Sequence, residues 1–181
     1  MATQQQLDLL LSGTSAWNRW RQEHLAIMPD LYGADLSRVD LTGVNLSRAN
    51  LSAADLSGAD FQEADLCDAD LSGANLSDTS LQAARLSGAH LAHANLSRAN
   101  LRGADLREAK LHGAILYQAK LAGADLTGAD LHEADLHEAD LCRATLRKAN
   151  CRDVDLTDAD LHGADLHDAD LHGVDLSLTI L

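Results

Sequence analysis

From Leu31 to Leu181 every fifth residue is leucine, with Phe61 and Cys151 the two exceptions among 31 positions, and nothing shifts the register. Two residues before each later member stands a small side chain: alanine at 24 of 30 positions, valine at 39, 44, 154 and 174, threonine at 79 and 179. The residue just before leucine is aspartate 16 times and asparagine 6 times. The unit therefore reads Ala-Asp/Asn-Leu-x-x. A period of five matches neither the 3.6-residue turn of a helix nor the alternation of a strand. It calls for a coil with corners. With the small residue and the leucine sharing the inward face of a short extended segment, the other three residues point to water. The last two turn the corner, where Gly, Ser, Asp and Asn are chemically suited. Asp and Asn replace each other freely before leucine, so their shared side-chain oxygen, accepting backbone N–H groups near the bend, matters at least as much as charge.

The unit Ala-Asp-Leu-Ser-Gly at Ala54 to Gly58 is the signature of the pentapeptide-repeat family, which the chain resembles from about residue 30 to residue 181. The resemblance implies an all-β solenoid, a right-handed quadrilateral parallel β-helix with four pentapeptides per coil. Thirty units then make about 7.5 coils, and a strand spacing of ~4.8 Å gives a rod roughly 36 Å long. Its interior is solid leucine and alanine, each stacked on its equivalent twenty residues away. The organisation expected is a helical N-terminal cap over residues 1–29 and a repeat solenoid over 30–181.

Leu7, Leu10 and Leu11 fall at i, i+3 and i+4 and predict a short helix ending at Gly13. A second helix follows Thr14 and Ser15, either suited as N-cap, and carries Trp17 and Trp20 on one face. These five apolar residues are expected to cover the first coil and its open edge. The competing reading is an aromatic docking face, which requires exposed tryptophans. At the other end, Leu178 and Ile180 occupy slots that are elsewhere polar. Together with Leu176 and Leu181 they predict a homodimer interface, with a frayed tail as the alternative.

A formal charge of -14 disfavours binding to nucleic acid or to an anionic membrane. No apolar stretch is long enough to span a bilayer, no signal peptide is expected, and three cysteines without CxxC spacing point to a reducing cytoplasm. Register places His112 above His132 and Cys142 above His162, but two ligands do not make a closed zinc site, so no metal and no cofactor is expected. The repeated Leu-His-Glu-Ala-Asp at 131–135 and 136–140 lies on a coil and is not a zinc-protease helix. Cys67 and Cys142 point outward on different faces, and Cys151 is an inward core thiol. A solid rod offers flat faces rather than a concave dry site, so no catalytic residue is expected and the chain reads as a non-enzyme.

Charge along the chain is banded. Residues 30–80, 121–140 and 153–181 are acidic, whereas 81–120 and 141–152 are basic. Arg102, Arg107 and Lys110 with Asp130, Asp135 and Asp140 are therefore the candidate surface of a protein–protein interaction module whose partner is an unknown protein. Some members of the family mimic B-DNA and bind DNA gyrase or related topoisomerases. That is the alternative function, and the basic bands, which interrupt a phosphate-like track, count against it.

Overall fold

The computed structural model describes residues 3–181. From Asp30 onward the chain winds as a right-handed, four-sided parallel β-helix in which each residue preceding the inward leucine bridges to the equivalent residue one coil on. Four bridge ladders result. The first runs Asp30–Asn50–Asp70–His90–Lys110–Asp130–Asn150–Asp170; the second starts at Asp35, the third at Asp40 and the fourth at Asn45.

Backbone hydrogen bonding explains the five-residue unit. Leu51 N–H donates to Asp70 O at 2.7 Å, Ala53 N–H to Ser72 O at 3.0 Å, and Asp55 N–H back to Ala34 O at 2.9 Å. Ala54 N–H donates to Leu51 O at 3.0 Å and closes a β-turn. One donor in five, that of Ser52, has no backbone acceptor. Asn50 Oδ1 accepts it at 3.1 Å. The same bond joins Asp35 to Ser37 at 3.0 Å, Asn95 to Ser97 at 3.0 Å and Asp155 to Thr157 at 2.9 Å. The free choice between Asp and Asn follows, since the cap itself uses only the oxygen.

The second residue of each corner takes a left-handed conformation, which with the turn bond defines a type II turn. Glycine suits it, yet Arg38 (φ 59°), Glu63 (φ 57°), Lys148 (φ 57°) and many others adopt it too. The corners are thus more permissive than turn chemistry alone suggests. Each such residue costs about 1 kcal/mol, which the ladder bonds on either side offset. Leu178 is the exception: its φ is not positive, and Asp175 just before it forms no bridge.

Leucines from Leu31 to Leu161, with Phe61 and Cys151 in their places, are buried together with most of the small residues. Thr79, also inward, donates its hydroxyl to Leu76 O at 2.6 Å and so buries no unpaired polar group. Burial does not hold throughout the series, however. Leu166, Leu171 and Leu176 are partly buried and Leu181 is exposed, because this coil has a neighbour on one side only.

Two helices, α1 (Gln4–Leu11) and α2 (Thr14–Glu23), pack against the first coil. Gln6 Oε1 accepts Asp30 N–H at 2.9 Å and Asn18 Oδ1 accepts Asn45 N–H at 2.8 Å, each standing in for a missing coil's carbonyl. Trp17 Nε1 donates to Asn45 O at 2.7 Å, and Arg21 to Ser47 O at 2.9 Å. Leu10 and Trp17 are buried, and Leu7 and Trp20 partly so. Leu11 is not part of this contact: it is exposed, and Leu9 packs in its stead. The helix stops at Leu11, and Gly13 with φ 123°, not Thr14 or Ser15, occupies the N-cap of α2.

Two outcomes follow. Leu101, fully buried, should lose about 3 kcal/mol as Leu101→Ala. Leu101→Asp should open neighbouring coils, seen as protease cleavage within 81–121, because it strands a charge in the core. The second concerns acid. Backbone N–H bonds hold the carboxyls of Asp40, Asp160, Asp165, Asp170 and Asp175 below their ordinary 3.8. Groups whose folded pKa is depressed stabilise the fold above the unfolded value, and that contribution is lost as pH falls through the folded one. Denaturant midpoints should therefore be flat from pH 7 to 5 and fall below about pH 4.

Candidate functional site

The six charged residues nominated from the sequence do not form one surface. Lys110 and Asp130 lie on the first ladder, Asp135 on the second and Asp140 on the third. Arg102 reaches Asp140 at 3.0 Å, and Arg107 is held by Asp105 through two bonds of 2.7 and 2.6 Å, so both are spent within the rod. Four other arginines behave alike. Arg85 meets Asp65 at 3.0 Å, Arg98 grips Asp78 through two bonds, Arg147 meets Asp165 at 3.2 Å and Arg152 meets Asp170 at 2.6 Å. Bands that alternate along the chain become neighbours across coils and neutralise each other. Arg38, Arg48, Arg143 and Lys148 have no such partner among the described residues, and Lys110 and Lys120 are like them. Both are exposed and neither forms an ion pair among the described residues.

These two lysines flank one of two coil segments that depart from the repeat, the other carrying Ser80, Arg85 and His90. Lys110, Ile115 and Lys120 replace the capping Asp or Asn at three successive corners. The N–H groups of His112, Tyr117 and Ala122 consequently lack the side-chain acceptor that their equivalents have. Ile115, in a slot built for a polar residue, is 41% exposed. Beside it Tyr117 stacks on His137 with ring centroids 5.7 Å apart, and Gln118 donates to Glu138 at 2.6 Å. Sequence reasoning passed over Ile115 and Tyr117. The signal was present, since an isoleucine before leucine recurs only at 180.

On the first ladder's face, His112 stacks on His132 at 5.2 Å, as register predicts, and His93 meets His112 edge-on at 5.2 Å. Glu133 adds a carboxylate whose Oε1 lies 3.5 Å from His132 Nε2. The group beside the pair is thus a hard oxygen ligand rather than a third soft one. Cys142 and His162 line one shallow hollow with Ala122, Gly123 and Arg143.

The thiols are poor nucleophiles. Burial pushes Cys151 up to about 12; burial and the bond to Asp65 push Cys67 to about 11; the bond to Asp160 and burial do the same for Cys142, also to about 11. A groove of about 570 Å3 lies between the helices and is lined by Gln6, Leu9, Trp20, His24 and Ile27 among others. His24 is its one side chain of acid–base type, and its Nδ1 is engaged with Trp20 O at 2.8 Å. At the far end Leu178 and Ile180 are exposed, and Ile180 bridges to Asp160. No helix among the described residues is long and apolar enough to cross a membrane.

A family model for pentapeptide repeats matches in 8 copies, over residues 30–48, 45–83, 84–123, 114–147 and 146–181. Among solved structures, the chain is similar to HetL, a pentapeptide repeat protein involved in heterocyst differentiation regulation in the cyanobacterium Nostoc sp. strain PCC 7120. The identity is 36%, with 84% of each chain covered and a TM-score of 0.55. A pentapeptide repeat protein of the Arabidopsis thaliana thylakoid lumen is 30% identical over 65% of this chain and 68% of its own, with a TM-score of 0.46. QnrB1, a plasmid-mediated fluoroquinolone resistance protein, is 21% identical over 78% of this chain and 86% of its own, with a TM-score of 0.47. Comparison with curated proteins gives no match. With the repeat matched from residue 30 to 181, the chain belongs to the pentapeptide-repeat family.

Proposed function

We propose that the protein is a non-enzymatic, rigid interaction module of the cytoplasm that docks a protein partner on the coil from Lys110 to Lys120. The observation that carries this reading is Ile115, an exposed isoleucine in a slot built for a capping oxygen. The rod gives up its corner bond at 110, 115 and 120, as it also does at 80, 85 and 90, and here it places Ile115 in the open beside the half-buried Tyr117. Departures from local rules concentrate where function competes with stability. An aliphatic and an aromatic anchor between two unpaired lysines suit a partner with an apolar pocket rimmed by carboxylates. The interaction therefore uses the positive charge of this coil rather than the net negative charge of the chain.

The test separates docking from folding. Ile115→Asp with Tyr117→Ser restores the residues that the repeat uses elsewhere, since Ser37, Ser57, Ser77 and Ser97 precede Tyr117 in its column. The double variant should be at least as stable as the parent by denaturant melt, yet capture a partner from native cytoplasm at least ~10-fold less well. Undiminished capture refutes the reading. The alternative, mimicry of DNA toward a topoisomerase, is separated by supercoiling. We expect no inhibition of DNA gyrase at micromolar protein, and inhibition that DNA competes away would replace this proposal.

Self-association belongs to the same proposal. Leu178 and Ile180 are outward apolar residues beside the last ladder bridge, and Leu176 and Leu181 supply further apolar area. Sedimentation should find a homodimer that Leu178→Lys with Ile180→Lys converts to monomer. A parent chain that stays monomeric at ~100 μM excludes it.

A further inference from the structure

We infer that His112, His132 and Glu133 bind one divalent transition-metal ion of the zinc type on the face of the first ladder. One ligand atom from each lies within 4.8 Å of the others. Neighbouring ligand atoms of a tetrahedral zinc ion sit about 3.3 Å apart, so side-chain adjustments of roughly 1 Å close the site. His132 Nε2 and Glu133 Oε1 are already 3.5 Å apart.

Ring orientation is what distinguishes this pair from surface histidines met by chance. His112 Nδ1 lies 3.1 Å from His132 O, and His132 Nδ1 lies 3.2 Å from Arg152 O. A carbonyl only accepts, so each Nδ1 carries the proton and donates. In the neutral ring, Nε2 then holds the lone pair. A carbonyl that fixes the tautomer from behind is the outer support that metal-binding histidines commonly have. Because the two bonds are the same bond repeated one coil apart, the rings stack and both Nε2 atoms come to one side.

The surroundings hold this arrangement in place. His93 packs edge-on against His112 from the coil before, resting on Gly113, where a Cβ would lie 2.7 Å from its Nδ1. Arg152, next in the histidine column, is drawn aside by Asp170 at 2.6 Å and does not compete for the carboxylate of Glu133. Lys110 and Asp130 stand beside the pair on the ladder with opposite charges. Two imidazoles and one carboxylate favour zinc, nickel, cobalt or copper over magnesium or calcium, which prefer oxygen. The remaining coordination positions face water.

Zinc chloride titrated into the tag-free protein near neutral pH, followed by calorimetry and by imidazole resonances in NMR, tests the site. The expected result is one ion per chain, with shifts confined to two histidines and a dissociation constant of the order of micromolar. His112→Ser and His132→Ser should each weaken it at least ~10-fold, and Glu133→Gln by less. Ser52, Ser72 and Ala92 occupy the same column, so these variants fit the coil. His162→Ser, which removes the histidine beside Cys142, should change nothing. Affinity retained in the His112→Ser, His132→Ser double variant, an equal loss in His162→Ser, or no saturation below ~1 mM each overturns the inference.

Discussion

The backbone N–H that follows each inward leucine is the donor on which the rod depends. Stacked coils and the corner turn satisfy the other four donors of the unit, and this one is left facing outward at the bend. An oxygen two residues earlier is the local remedy, which is why Asp or Asn stands there. Where Ser80, Arg85, His90, Lys110, Ile115, Lys120 or Thr145 replaces it, water must serve instead. Most of these departures gather between 80 and 120. A solenoid tolerates this because each coil is stabilised by its nearest neighbours alone, so a weak coil is held from both sides.

Electrostatics follows from the same stacking. A chain with charge -14 would repel itself as a coil of uniform sign, but Arg85, Arg98, Arg147 and Arg152 sit where neighbouring coils present aspartates. These exposed pairs add little stability individually. Their effect is on the surface, which they turn into a mosaic without a continuous acidic track. Lys110 and Lys120 remain unpaired on it, as do Arg38, Arg48, Arg143 and Lys148 among the described residues.

The middle of the rod joins these threads. The same coil that gives up its caps carries the exposed isoleucine, the tyrosine and the first member of the stacked histidine pair. The first and second ladders meet at its corner, so an apolar docking face and a histidine-lined face lie side by side. Rigidity is what the solid core contributes to both. Groups fixed on packed coils keep their spacing without the ordering cost that a loop would incur.

How much was legible depended on periodicity. Inward leucine and alanine, the outward Asp oxygen and the stacking of His112 on His132 are all functions of position within a strict repeat, and each could be read from the chain. Ile115 was equally legible as a breach of the pattern and was overlooked. Other features lay beyond any spacing rule. Glu133 approaches His132, and Arg102 reaches Asp140 two coils on, only through side-chain rotations in three dimensions. In the non-repeating start, Leu9 rather than Leu11 faces the core, because the seating of α1 on the first coil, not its own periodicity, selects the buried face. A five-residue period by itself determines which side chains point inward. The angle turned at each corner, and hence which residues become neighbours twenty apart, is decided by the closure of four sides against one core.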